Sequence, residues 1–146
     1  DTLVNYMELF KPDIIVSPDG ISNAREHFEH EASGYLSNLA VNLYKKRNPE
    51  VLKAYLKLVD VQQTEAYEGI SLLYIDAANE AKYLEQKRMA LMMHQTQADA
   101  SYYGIKRLEK FPVEYYKLEY SMESDDKLTL ALLNKNMEKT LSGISF

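Results

Sequence analysis

The sequence contains no cysteine, no tryptophan and only three histidines among its 146 residues. Without cysteine, the chain has no disulfide framework, no thiolate zinc site and no cysteine nucleophile. Five glycines and four prolines are too few for a collagen-like or linker-like chain. No apolar run approaches the roughly 20 residues that a membrane-spanning helix requires. These absences leave one ordinary folded domain as the expectation.

The charge balance disfavours nucleic acid as the main partner. Asp and Glu number 22 against 17 Lys and Arg, which gives a net charge of -5. Such a chain has no broad positive field to attract phosphate backbones. The twelve tyrosines and six methionines exceed what a small core requires, and both residue types are favoured at binding surfaces. Composition therefore favours contact with another protein.

Residues 1–22 predict a short N-terminal arm. Apolar side chains first recur at helical spacing, at Leu3, Tyr6, Met7 and Phe10. Pro12 ends this docking helix, because the residue before a proline avoids the helical conformation. The β-branched run Ile14–Val16 precedes a turn that contains Pro18 and Gly20. We expect an extended arm outside any sheet, so that deletion up to Val16 leaves helicity largely intact.

A strong helix is predicted from a cap at Asn23 to about Arg47. Its apolar stripe is expected to face the core and comprises Ala24, Phe28, Ala32, Tyr35, Leu36, Leu39 and Leu43. Asn48, Pro49 and Glu50 supply the cap and first turn of the next helix. The short connection predicts an antiparallel helical hairpin, packed around Phe28, Leu36, Leu39, Leu52, Tyr55 and Val59.

Apolar positions then recur every three or four residues as far as Phe111. One helix over 49–111 would extend roughly 90 Å, too far for a compact domain. We therefore expect either a break near Gly69 or at 76–79, or one long protruding helical hairpin. The segment 113–122 alternates as a strand does, but its context favours helix. A last helix is predicted after Ser124, with the stripe Leu130, Leu133, Met137, Leu141 and Ile144.

The predicted fold class is therefore all-α. We expect a four- or five-helix bundle over 23–146, a single domain, led by the short extended arm over 1–22.

No motif in the sequence predicts catalysis. His27 has metal-binding spacing to His30 and Glu31, but the helical angles direct these side chains away from the apolar stripe. His94 lies among methionines and is interpreted as a hydrogen-bonded structural residue. There is no Glu-x-x-His pair, phosphate loop or catalytic triad. We expect no enzyme activity, no metal or other cofactor, and no small-molecule ligand.

The sequence instead predicts a non-enzymatic interaction or assembly component, a subunit or adaptor that binds a protein partner or itself. Its interface candidates are apolar or aromatic: Leu3, Tyr6, Phe10, Ile14, Ile15, Met92, Met93, Tyr102, Tyr103, Tyr115 and Tyr116. One alternative is a regulatory protein that contacts nucleic acid through Lys106, Arg107 and Lys110. Another is a helical bundle that binds a small molecule. The first residue is Asp1 and not methionine, which fits an exported, processed protein or a trimmed chain.

Overall fold

The structure, a computed structural model, describes residues 2–20, 28–59, 67–76, 81–93, 98–110, 112–122 and 131. These residues form both helices and a sheet. In chain order the elements are α1 (Thr2–Phe10), β1 (Ile14–Pro18), α2 (Phe28–Arg47), β2 (Ala54–Val59), β3 (Leu72–Asp76), α3 (Ala81–Met92), α4 (Ala98–Lys110) and β4 (Val113–Ser121). The strands make one mixed sheet in the order β1-β2-β4-β3. The predicted all-α four- or five-helix bundle is therefore wrong.

The chain divides into two compact units. The first, unit 1, comprises Asp1–Leu73 and Tyr116–Phe146 and holds α1, β1, α2 and β2 with most of β4. The second, unit 2, comprises Tyr74–Tyr115 and holds α3 and α4, which pack against each other.

Strand β1 is an integral part of unit 1. It pairs in parallel with β2, and the register places Ile14 opposite Ala54 and Pro18 opposite Leu58. Parallel neighbours need a long crossover between them, and α2 supplies it. The Asp19 N–H donates to the Leu58 carbonyl at 3.2 Å and extends the pairing beyond the strand end. The segment predicted as an extended arm outside any sheet is thus a strand of the sheet.

The core of unit 1 forms between α2 and the sheet. Four fully buried residues make its centre: Val41 and Tyr44 from α2, Leu52 before β2, and Tyr55 within β2. Partly buried side chains pack around them, namely Met7, Ile15, Val51 and Tyr120. Helix α1 is thus attached through Met7 and through the buried Val4. The predicted docking helix matches α1 in position.

The predicted second helix after Pro49 is replaced by β2. Leu52, Tyr55 and Val59 of the predicted helix fit helical spacing, but five of the six residues of β2 are buried. A surface helix buries only one stripe, whereas a strand between two neighbours buries both faces. β2 lies between β1 and β4, so the strand is the conformation that accommodates this run.

The segment 113–122 is also a strand, because β4 covers Val113–Ser121. Its alternating pattern was the correct signal, and the preference for helix was wrong. The Met122 N–H donates to the Lys53 carbonyl at 2.8 Å, which ties the end of β4 to the residue before β2.

Within 49–111, strands β2 and β3 replace the first part of the predicted helical stretch, and α3 and α4 follow as two separate helices. Gly69 lies in a turn with φ +80°, and Asp76 is the last residue of β3. Helices α3 and α4 then make the hairpin of unit 2, where Gly104 lies close to Leu91. Of the predicted final helix the structure describes only residue 131, which is helical, and the breaking residues 77–79 lie outside the described residues.

Two glycines bring the loop after β1 into direct contact with α2. Gly20 has φ +77°, a conformation that favours glycine. A Cβ atom built on Gly34 would lie 2.7 Å from the Gly20 nitrogen and 2.8 Å from the Pro18 oxygen. Because those neighbours are backbone atoms, α2 reaches this position only with glycine at 34.

Candidate functional site

Helix α2 carries a second apolar face on the side opposite the core. The core side is buried and consists of Gly34, Ala40, Val41 and Tyr44. The opposite side, called here the outer face, exposes between 46% and 71% of five large residues: Phe28, Tyr35, Leu36, Leu39 and Leu43. At about 100° per residue, the five side chains fall within about 100° of one another around the helix and so form one stripe. The stripe predicted as core is therefore exposed, and the predicted hairpin core is wrong for Phe28, Leu36 and Leu39.

Charges of opposite sign lie at the two ends of the outer face. The first turn of α2 contains Glu29 and Glu31, and the last turn contains Lys45, Lys46 and Arg47. Lys45 is turned inward, with its Nζ 3.4 Å from the centroid of the Tyr120 ring. Glu29, Glu31 and Lys46 are exposed. The helix thus presents an apolar stripe with an acidic end and a basic end.

Helix α1 exposes a smaller apolar stripe. Leu3, Tyr6 and Phe10 are all exposed, and the Tyr6 and Phe10 rings stack with centroids 6.3 Å apart. The opposite side of α1 is held in place at its end by Glu8, whose two carboxylate oxygens accept hydrogen bonds from Asn48 Nδ2 at 3.0 and 3.1 Å. These three interface candidates are therefore accessible on a fixed helix.

A buried polar cluster lies at the carboxyl ends of β1 and β2. Asp19 follows β1, and its side chain is only 1% exposed. Its Oδ2 accepts a hydrogen bond from the Tyr67 hydroxyl, and its Oδ1 lies 3.9 Å from Lys57 Nζ. Lys57 Nζ also lies 3.3 Å from Oε2 of Glu119. In open α/β sheets this end of the strands is the usual place for ligands, so the cluster is the second candidate site.

Neighbouring charges and burial shift the pKa values of two groups at the cluster, Glu119 and Tyr55. Partial burial acts to raise the pKa of Glu119, but the charges of Lys57 and Lys117 and their hydrogen bonds outweigh it and lower that pKa below its usual value. Burial raises the pKa of the Tyr55 phenol, which shares a hydrogen bond of 2.8 Å with Ser17 Oγ. The Tyr55 hydroxyl therefore stays protonated at neutral pH and supplies no activated base.

Unit 2 exposes four further interface candidates on or next to its helices. Met92 is the last residue of α3 and Met93 follows it, while Tyr102 and Tyr103 lie on α4; all four are at least half exposed. Lys106 Nζ lies 4.4 Å from the Tyr102 ring centroid, so this candidate for phosphate contact is engaged in a cation–π interaction. The structure thus places Met92, Met93, Tyr102 and Tyr103 on an exposed surface of unit 2.

Four interface candidates have little or intermediate exposure. Ile14 and Ile15 belong to β1, and Ile15 packs on the core of unit 1. Tyr116 is only 6% exposed, and Tyr115 is half-buried beside Tyr74, with ring centroids 6.4 Å apart.

Of the possible metal ligands, His30 and Glu31 are exposed on α2, while His27 and His94 lie outside the described residues. Within the described part of the chain, no three histidine or acidic side chains form a group that fits a metal ion.

Sequence reasoning did not identify the outer face or the polar cluster as sites. The signal for the cluster is Lys57, a charged residue inside the otherwise apolar run Ala54–Val59. A lysine is rarely buried unless it is paired, so such a position predicts a buried partner of opposite charge. The partner, Asp19, is distant in sequence and follows another strand.

The sequence matches no protein-family model, and neither a curated protein nor a solved structure is significantly similar to it. Among the helices that the structure describes, none is long and apolar enough to cross a membrane.

Proposed function

We propose that the protein is a non-enzymatic interaction or assembly component that binds a protein partner through the outer face of α2. The observation that supports this proposal is the exposed stripe of five large apolar side chains on a helix whose other side is already buried in the core. Monomeric proteins rarely expose a large contiguous apolar patch, so such a patch indicates an interaction site.

The anatomy of the stripe resembles that of a protein interface. Aromatic side chains lie at its N-terminal half, at Phe28 and Tyr35, and leucines continue it to Leu43. Aromatic residues are enriched in binding surfaces, and charged residues belong at their edges. Here the acidic and basic turns of α2 occupy the two ends of the stripe.

The spacing of the stripe fits another helix. Phe28, Ala32, Tyr35 and Leu39 follow one another at alternating steps of four and three residues. This alternation maintains a straight seam along an α-helix and allows the side chains of a second helix to insert between them. The partner is therefore an amphipathic helix that contributes an apolar stripe of its own.

The polar cluster is better explained as a structural element. Asp19 and Lys57 are buried, and each is engaged by another member of the cluster, Tyr67 for Asp19 and Glu119 for Lys57. Lys57 Nζ faces two carboxyl groups, 3.9 Å from Asp19 Oδ1 and 3.3 Å from Glu119 Oε2. The cluster fixes the loop after β1 against the sheet, which supports the position of α2.

Site-specific photocrosslinking tests the proposal. Tyr35 is replaced by the photoreactive benzoylphenylalanine, and cells that express the protein are irradiated. A discrete protein adduct at position 35 is the expected result. The matched control places the same group at Ile70, an exposed apolar residue in the turn before β3. Absence of an adduct at position 35, or the same adducts from both positions, would contradict the proposal.

A further inference from the structure

We infer that the partner on the outer face is a second copy of this chain, with the two α2 helices packed antiparallel around a two-fold axis near residues 37 and 38. The inference rests on the proposed function and names the partner of that surface. Most protein oligomers are symmetric assemblies of identical chains, and a two-fold interface must be complementary to itself. The outer face of α2 has that property.

Electrostatics determines the direction of the pairing. The first turn of α2 is acidic and the last turn is basic. In an antiparallel pair, Glu29 of each chain lies beside Lys46 of the other, so both ends attract. In a parallel pair, like charges meet at each end and repel. The antiparallel arrangement is therefore favoured for two copies of the same helix.

The apolar residues agree with the register that these charges select. Placing Glu29 opposite Lys46 of the second copy also places Leu36 opposite Leu39 and Ala32 opposite Leu43. The two largest aromatic residues, Phe28 and Tyr35, flank these pairs along the same stripe. A small residue opposite a leucine and two leucines at the centre are the pattern by which antiparallel helices interdigitate.

The helix dipole by itself explains part of this pattern but not all of it. Acidic residues are favoured at helix N-termini and basic residues at C-termini in any protein. The dipole does not explain why the residues between these charged turns are apolar on the side away from the core. Ends of opposite charge that enclose an exposed apolar stripe are what an antiparallel pair of identical helices requires.

A charge-exchange experiment tests the inference on the purified full chain. Glu29→Lys and Lys46→Glu are prepared separately and analysed by sedimentation equilibrium beside the unaltered protein. Lys46 is preferred over Arg47, whose Nη1 lies 4.0 Å from Glu8. Each variant alone places like charges at both ends of the pair, and its dimer should weaken by about tenfold. In an equal mixture of the two, both contacts are attractive again, so dimer formation should recover.

Leu39→Glu and Ile70→Glu supply the matched pair of apolar variants. Leu39→Glu introduces a charge at the centre of the interface and should weaken the dimer by on the order of a hundredfold or more. Ile70→Glu, an equally exposed site outside α2, should leave the dimer unchanged. Circular dichroism of every variant establishes that the fold is intact, and recovery in the mixture cannot arise from a change in folding.

The outcomes separate the inference from the proposed function. Dimerisation that Glu29→Lys weakens and the mixture restores supports both. A purified chain that stays monomeric at concentrations up to about 1 mM, or a dimer that Leu39→Glu leaves unchanged, overturns the inference. If position 35 nevertheless crosslinks to a different protein, the proposed function stands with another partner. If position 35 gives no adduct either, both fail.

Discussion

The contact of Gly34 with the loop after β1 predicts a mutational effect opposite in sign to helix propensity. Gly34 lies in the interior of α2, where replacement by alanine normally stabilises a helix by about 1 kcal/mol. In this fold, however, a Cβ atom at position 34 would lie 2.7 Å from the nitrogen and 2.8 Å from the Cα of Gly20. Ordinary contacts to carbon are about 3.5 to 4.0 Å. We therefore expect Gly34→Ala to destabilise the protein.

The size of the effect follows from the rigidity of both sides. The clashing atoms are backbone, and Asp19, next to Gly20, is fixed by its N–H bond to the Leu58 carbonyl and by the buried contact with Lys57. No side chain can rotate away, so helix and loop must separate. Overpacking of this kind costs about 1–3 kcal/mol, and the absence of a flexible neighbour places Gly34→Ala near 3. After the gain in propensity, a net loss of about 2 kcal/mol remains.

Urea unfolding followed by circular dichroism measures this loss. All proteins are compared at one concentration, because association of native chains would add to the apparent stability. Ser33→Ala is the control, since Ser33 is the exposed preceding residue of α2 and its replacement should stay within about 0.5 kcal/mol. If Gly34→Ala matches the stability of the unaltered protein or exceeds it, the close approach of α2 to the loop is refuted.

Three further predictions concern polar groups of unit 1, each measured by urea unfolding. Among the described residues none hydrogen-bonds the buried Tyr44 hydroxyl, so Tyr44→Phe should raise the stability by up to about 1 kcal/mol. Tyr55→Phe removes a hydrogen bond to Ser17 and should lower the stability by about 1 kcal/mol. Equal effects of the two variants would contradict this assignment. Lys57→Met leaves the Asp19 carboxylate buried without its counter-ion and should lower the stability by about 3 kcal/mol. Adding Asp19→Asn should restore much of this stability in the double variant. If the stability losses of the two single variants instead add up, the pairing is excluded. The lowered folded-state pKa of Glu119 adds stability above its unfolded pKa, and this stability is lost as the pH falls through the folded-state pKa. Glu119→Gln should therefore destabilise the protein by less than about 1 kcal/mol at pH 7 and have progressively less effect as the pH falls through that folded-state pKa. A larger effect in acid than at pH 7 would contradict this sign.

The sequence predicted single elements better than their assembly. The helix at the N-terminus and the end of α2 at Arg47 were identified from apolar spacing and the cation cluster. The strand β2 was missed because Leu52, Tyr55 and Val59 also satisfy a helical period. What makes this segment a strand is its burial between β1 and β4, a contact with distant parts of the chain that local periodicity does not contain.

The polar cluster was beyond sequence reasoning for a related reason. Lys57 inside an apolar run indicates a buried counter-ion, but the sequence offers 22 acidic residues as partners. Asp19 becomes the partner because parallel pairing places the ends of β1 and β2 side by side. Once the sheet was missed, no spacing rule could connect these two residues.

The sequence predicted the wrong side of α2 as the core side, and the physical reason bears on its function. The helix is apolar on two sides, and the larger side chains were taken for the core. The side that packs on the sheet instead contains the small residues Gly34 and Ala40 beside Val41 and Tyr44, because a crossover helix must approach the strands and loop closely. The large side chains are left for the outer face, where a second helix can insert between them. A crossover helix with small residues on one side and a regularly spaced large apolar stripe on the other thus has two packing surfaces, and only one of them is satisfied within the described chain.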